Sequence, residues 1–288
     1  MPRIRLDLAY DGSGFSGWAA QPGRRTVQGV LTEALATLLR EDVQLTVAGR
    51  TDAGVHAADQ VAHLDVSDAA WAALPGRCDR TSEQALLDRL DRLLIRGSGV
   101  LRASDVVVRA ASVVDESFDA RFAAIWRAYR YRVAEPGAFD PRTRASTWWV
   151  RDELDVAAMG EAAALLVGEW DFAALCKPRE GASTIRRLTH AEVMRADGAI
   201  AIDLRADAFC HSMVRSIVGC LVAVGQGKKP SSWLGELLAS RDRSLAAAVA
   251  PAHGLTLMAV GYPPQDQWAS RQEETRRFRT TAAGRDES

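Results

Sequence analysis

The sequence predicts an α+β fold made of two similar halves, each a small, mostly antiparallel sheet with helices on one face. Three observations predict it. Segments of period-two alternation and segments of helical periodicity follow in the order strand, helix, strand, strand, helix, strand over residues 1–112, and the same order recurs over residues 113–265. At 288 residues the chain is long enough to bury a core in one or two domains. With 48% hydrophobic and 25% charged residues it has the composition of an ordinary globular protein, which argues against disorder or a membrane protein. Residues 266–288 are polar and charged, with Trp268 and Phe278 the only bulky apolar side chains, and read as a mobile tail.

In the first half, Ile4, Leu6 and Leu8 alternate with Arg3, Arg5 and Asp7 in a strand that ends at the turn Asp11-Gly12-Ser13-Gly14. Thr26 is placed to cap a helix in which Val27, Val30, Leu31, Ala34, Leu35, Leu38 and Leu39 recur at helical spacing. Alternating strands are expected at 43–48 and 60–66, then a short helix and a loop over 68–80. Leu86, Leu87, Leu90, Leu93 and Leu94 make the stripe of another helix, ending before Gly97-Ser98-Gly99. Val106 to Val108, with Val113 and Val114, supply an extended stretch.

The second half opens with a strand at 128–133, followed by a helix over 154–167 and two strands, 190–194 and 200–204, paired across Ala196-Asp197-Gly198. Met213, Val214, Ile217, Val218, Leu221 and Val222 give the buried face of the next helix. A shorter helix at 233–239 and a strand at 257–260 close the fold. Two such halves facing each other would leave a cleft between them.

Met1 to Arg5 lead straight into strand pattern with no apolar signal segment, and no run is long enough to span a bilayer, so the expected location is the cytoplasm. Cys78, Cys176, Cys210 and Cys220 lie far apart in sequence and form no Cys-x-x-Cys pair. That spacing argues against a zinc site or redox motif and leaves free, mostly buried thiols as the expectation. Cys210 and His211 are sequence neighbours whose side chains point in different directions, so no metal is assigned to them. The net charge of −1 says little about RNA, because phosphate binding depends on local clusters of Lys and Arg. One such cluster runs from Arg121 to Arg132, where Arg121, Arg127, Arg130 and Arg132 interleave with Phe122, Trp126, Tyr129 and Tyr131. Those aromatics would serve either to stack on bases or to fill a core.

The chain's densest chemistry lies in Ala48-Gly49-Arg50-Thr51-Asp52-Ala53-Gly54-Val55-His56-Ala57, an arginine, a hydroxyl and a carboxylate held between two glycines on a loop joining two strands. Gly49 and Gly54 would let the loop turn tightly and let a ligand approach its backbone. The alternative is an Asx turn in which Asp52 only caps its own loop. The run Gly49 to His56 resembles the signature of the tRNA pseudouridine synthase A family. Ala206 to Gly219 resembles the family's late helix-opening motif, Phe118-Asp119-Ala120-Arg121-Phe122 and Tyr129-Arg130-Tyr131 its middle motif, and His253-Gly254-Leu255-Thr256-Leu257 its last. The likeness spans about residues 3 to 262.

The resemblance implies a pseudouridine synthase fold, two ferredoxin-like halves sharing a mostly antiparallel sheet, with the active site in a central cleft. It implies isomerisation of uridine to pseudouridine in tRNA without any cofactor or metal: the bond from ribose C1′ to N1 breaks, the base rotates, and C5 joins C1′. By the same resemblance Asp52 is the catalytic carboxylate, Arg50 assists base flipping, Tyr129 is the active-site tyrosine and Arg215 pairs with the catalytic Asp. Phe209 and Leu257 wall the pocket. Phe118, Asp119, Ala120, Arg121 and Phe122, with Lys177 and Arg179 beside Arg186 and Arg187, contact RNA. Each has a plainer reading: Arg50 holding the loop, Arg215 on a helix surface, and Tyr131, Phe209 and Leu257 in the core. Family members act as homodimers on uridines thirty-eight to forty of the anticodon stem-loop. Leu90-Asp91-Arg92-Leu93-Leu94-Ile95 departs from the family pattern, which puts contacts of residues 76–105 in doubt. Two rivals stand beside this reading. One is a catalytically silent tRNA-binding module on the same fold; the other is a phosphotransferase, against which the lack of a Walker A pattern argues.

Overall fold

The structure is a computed structural model that describes residues 1–77, 79–98, 102–179 and 181–283, with residues 277–283 by backbone alone. Cys78, Gly99, the Phe278 side chain and residues 284–288 of the expected tail lie outside the described residues. The chain forms two units, Met1–Ala124 with Ala259–Thr275, and Ile125–Met258 with the described residues from Arg276 onward. Residues 113–124 therefore stay with the first unit, where Phe118 is fully buried and Arg3 donates to the carbonyls of Glu116 and Phe118 at 2.5 and 3.0 Å.

In the first unit β1 (Arg3–Tyr10) buries every second residue, Ile4 to Tyr10, as its alternation predicts. Helix α1 (Val27–Leu39) starts where Thr26 accepts a hydrogen bond from the Gly29 N–H at 3.2 Å. Strand β2 (Thr46–Val47) is shorter than expected: Val43 and Leu45 are buried, but only Thr46 and Val47 ladder with β3 (His56–Asp65). Alternation records burial, and burial there comes without pairing. Two helices follow, α2 (Asp68–Ala73) and α3 (Ser82–Gly97); α3 opens with the Thr81–Gln84 capping box and runs through Gly97. Strand β4 (Val106–Val114) pairs with β1, giving the antiparallel order β4-β1-β3, and α3 packs on β4 and α1.

The second unit begins with β5 (Trp126–Ala134) and the short β6 (Trp148–Trp149), parallel to it. Helix α4 (Val156–Ala164) is shorter than expected, because Asp155 caps its start and the chain leaves it to enter β7 (Gly168–Asp171), an unexpected edge strand. Strands β8 (Ile185–Ala196) and β9 (Ala199–Ala206) are joined by Asp197 and Gly198, both at positive φ, the two-residue turn that suits a twisted hairpin. The order is β5-β9-β8-β7, antiparallel throughout. Helix α5 (Met213–Gly225) is buried along most of its length, and α6 (Trp233–Ser240) follows. Strand β10 (Leu255–Gly261) carries the chain from the second unit back to the first.

The mixed α/β class with mostly antiparallel pairing is as the sequence predicts. Residues expected as a polar tail instead carry helix α7 (Trp268–Ala283). Its first turns are anchored in the first unit. Trp268 is buried with its ring centroid 4.9 Å from that of Phe118, and Thr275 Oγ1 donates to the Phe122 carbonyl at 3.0 Å. Among the described residues no helix is long and apolar enough to cross a membrane.

Candidate active site

The loop between β2 and β3 is built from its backbone outward. The Val55 N–H donates to the Asp52 carbonyl at 3.2 Å, and Gly54 sits at φ +79° in the left-handed region. The main chain thus closes the turn. Gly49 is not at positive φ, and a Cβ there would meet nothing within 4 Å, so its part in the loop is open space and not a strained angle. Thr51 is buried, Asp52 half-buried and Arg50 exposed.

Three segments hold this loop. From the turn after β1, a Cβ on Gly12 would lie 2.1 Å from the Val55 carbonyl oxygen, and the Gly12 N–H donates to His56 Nδ1 at 3.1 Å. Asp11 Oδ1 lies 3.0 Å from the same nitrogen. From the stretch before α1, Trp18 N–H donates to the Thr51 carbonyl at 3.1 Å, and Gly17 packs against Thr51 and Ala53. From the sheet, the buried Tyr10 and Gln60 side chains reach Thr51 and Gly49. The sequence reading took Tyr10 to Gly14 as a strand end and a turn and missed these supports. The compact run Tyr10-Asp11-Gly12 was the available signal.

In the second unit, Tyr129 on β5 and Phe209 meet edge to face, ring centroids 5.1 Å apart. Leu257 on β10 is fully buried. Arg215, in the first turn of α5, donates from Nε to the Ala250 carbonyl at 2.7 Å, and Ala250 N–H returns a bond to the Arg215 carbonyl at 3.1 Å. Tyr131 is core: it is fully buried, it donates to the Pro251 carbonyl at 2.8 Å, and burial pushes its phenol well up. Gly254 has no room for a side chain, since a Cβ would lie 2.5 Å from Tyr131 Cζ. Arg130 forms a two-bond pair with Asp203, at 2.7 and 2.8 Å.

Within the middle motif the residues divide. Phe118, Asp119 and Ala120 are buried. Asp119 Oδ1 accepts from the N–H groups of Arg121 and Phe122, both at 2.8 Å, and Ala120 N–H donates to His63 Nδ1 at 3.0 Å. These three shape the turn, and Arg121 and Phe122 are its partly exposed members. Lys177 and Arg179 are exposed on the loop before β8, where Lys177 N–H donates to the His211 carbonyl at 3.0 Å.

That contact carries a surprise. Cys176 and Cys210, distant in sequence, hydrogen-bond to each other through their thiols. The bond pushes Cys176 up and holds Cys210 down, and the Arg186 guanidinium lowers both. No group of three or more metal-ligating side chains occurs among the described residues.

A two-unit α+β chain thus carries a half-buried carboxylate two residues from an exposed arginine on a Gly-flanked loop. Residues 162–263 match a family model described as tRNA pseudouridine synthase. The chain is 50% identical over 284 residues to a tRNA pseudouridine synthase A of Leifsonia xyli subsp. xyli, covering 96% of this chain and 98% of that one. It is 48% identical over 283 residues to that of Streptomyces griseus subsp. griseus, covering 96% and 94%. With the same enzyme of Mycobacterium leprae it shares 45% identity over 284 residues, covering 97% and 96%. The chain belongs to the tRNA pseudouridine synthase A family, whose members are isomerases.

Proposed function

We propose that this chain isomerises uridine to pseudouridine at positions thirty-eight to forty of the tRNA anticodon stem-loop, with Asp52 as the catalytic carboxylate. The observation that supports Asp52 most is the build of its loop. The turn is closed by main-chain atoms and clamped from three segments, so the backbone that carries Asp52 has a fixed place. A carboxylate suits the reaction because it can attack C1′ covalently or stabilise a cationic sugar while the N1 bond breaks. Uracil then turns so that C5 faces C1′, the C5–C1′ bond forms as any bond from the carboxylate to C1′ breaks, C5 loses its proton and N1 gains one. Atoms balance within the nucleotide, and nothing else is consumed.

The target base is stacked in a stem and has to leave it, at a cost of a few kcal/mol. Arg50, exposed on the same loop, is suited to fill the gap, since a planar guanidinium both stacks and hydrogen-bonds. Tyr129 is assigned to stacking on uracil, Phe209 and Leu257 to the pocket wall, and Arg215 to keeping the carboxylate ionised. Arg121, Phe122, Lys177 and Arg179 carry the RNA contacts, with Phe118, Asp119 and Ala120 setting the turn that presents the first two. A homodimer acting in the cytoplasm is part of the same proposal.

The test incubates unmodified tRNA transcripts with wild-type protein and with Asp52→Asn, without cofactor, and maps pseudouridine by chemical adduct and reverse-transcription stops. Stops in the anticodon stem-loop with wild type alone are expected. Conversion by Asp52→Asn at the wild-type rate would remove Asp52 from the chemistry. Binding of tRNA by both proteins without conversion by either would put the silent tRNA-binding module ahead.

A further inference from the structure

Beneath the loop lies a closed chain of neutral hydrogen bonds that the reaction itself does not use. Gln60, on β3, is fully buried, and its side-chain nitrogen donates to the Gly49 carbonyl at 2.8 Å and to Tyr10 Oη at 3.3 Å. Its oxygen accepts from the Val61 N–H at 3.2 Å. The amide orientation is forced, because the flipped group would set oxygen against the Gly49 carbonyl and N–H against N–H. Tyr10 Oη lies 2.8 Å from Thr51 Oγ1 in buried surroundings. With either hydroxyl as the donor of that bond, the chain links Gln60, Tyr10 and Thr51.

Gly49 and Thr51 are the residues on either side of Arg50, and Thr51 precedes Asp52. We infer that Tyr10 and Gln60 are positioning residues for catalysis, setting the backbone from which Arg50 and Asp52 project. The inference rests on the reading of Asp52 as the catalytic carboxylate. This clamp fixes the backbone without adding to the charges that set the ionisation of the carboxylate beside it, because the clamp is uncharged. Burial keeps it so, pushing the Tyr10 phenol up to about 12. The loop is thereby fixed twice, by Trp18 and Gly12 on its backbone and by Tyr10 and Gln60 through the sheet, and only the second set reaches both neighbours of Arg50.

Tyr10→Phe and Thr51→Val delete the Tyr10–Thr51 hydrogen bond from its two ends with little change of volume, Tyr10→Phe removing the acceptor of the longer Gln60 bond as well. Each is expected to slow single-turnover conversion at saturating protein by about 10- to 100-fold, the scale of a small misplacement of a reacting group. Affinity for tRNA should stay within about twofold, and the double variant should be no slower than the slower single, because both remove the same bond. A merely structural role behaves differently: it lowers the amplitude of the turnover, which counts folded protein, and leaves the rate constant alone. Gln60→Glu, which sets an acceptor against the Gly49 carbonyl, is the third arm and keeps the test standing if a hydroxyl variant fails to fold. Rate constants within about twofold of wild type, or losses that multiply in the double variant, overturn the inference. Wild-type protein runs in the same assay; its failure to make pseudouridine would sink the functional reading instead, so the two failures are told apart.

Discussion

Gly12→Ala is the sharpest perturbation the fold offers. A Cβ at residue 12 would stand 2.1 Å from the carbonyl oxygen of Val55, 2.5 Å from its carbonyl carbon and 3.0 Å from its nitrogen. All three neighbours are backbone, so no side chain can swing aside. Gly12 is not at positive φ, and the whole cost is therefore space. Reaching an ordinary carbon–oxygen contact needs a separation larger by about 1 Å. Val55 cannot yield that distance alone, since its N–H closes the turn on Asp52 at 3.2 Å and the next residue accepts from Gly12 itself. The shift therefore carries Asp52 with it. Overpacking of this kind costs ~1–3 kcal/mol of stability, and a misplacement of about 1 Å costs on the order of 100-fold in rate. Single-turnover pseudouridine formation and thermal unfolding followed by circular dichroism read the two effects. Gly49→Ala is the control in the same loop: open space surrounds its Cβ, and its stability should stay within about 0.5 kcal/mol of wild type. A Gly12→Ala protein with wild-type rate and wild-type melting would refute the idea that the loop is braced from this side.

Two further outcomes follow from titratable groups. Burial raises Tyr10 from 10.0 to about 12, so its contribution to stability is whole below pH 10 and is lost as pH climbs towards 12; over that interval ~3 kcal/mol should go. Urea unfolding at pH 9 and near pH 12 should show the loss in wild type and a smaller one in Tyr10→Phe, with Tyr131 supplying the remainder. Equal losses in the two proteins would count against a buried neutral phenol. Iodoacetamide should alkylate Cys210 before Cys176 or Cys220. The hydrogen bond from Cys176 favours the Cys210 thiolate, whereas Cys176 is pushed up by that same bond and Cys220 by burial to about 11. Peptide mass spectrometry over time gives the order, and early labelling of Cys176 contradicts it.

Much of the fold was legible because one-sided burial writes itself into the sequence. The alternation of β1, the stripe of α1 with its Thr26 cap, the β8–β9 hairpin at Asp197-Gly198 and the apolar face of α5 are all local patterns. What escaped lacks such a pattern. Strand β7 is a four-residue edge whose Trp170 is 47% exposed, so no alternation marks it. Helix α7 is mostly polar; Trp268 buries against Phe118, and composition hid that contact. At the site, Asp52 stood out through a contiguous motif. Its supports did not, because Tyr10 meets Thr51 across 41 residues and Gln60 across 50. The Cys176–Cys210 contact was missed for the same reason; spacing rules describe metal and redox motifs, not thiols brought together by a loop.

These separations say something about how such a site is kept. A reacting carboxylate needs a fixed place, and neutral groups supply one without adding to the charges that set its ionisation. Among the described residues, ion pairs with two-bond geometry join Arg3 with Asp65 across β1 and β3, Arg25 with Asp105 beside the turn after β1, and Arg130 with Asp203 across β5 and β9. The described bonds that reach Gly49 and Thr51 come from an amide, a phenol and a main-chain N–H. None of them changes protonation below the range of Tyr10, so this part of the loop's support does not respond to pH below that range. Substituting a charged residue into the clamp should therefore harm turnover in a pH-dependent way, whereas deleting a neutral hydrogen bond should slow it equally at every pH.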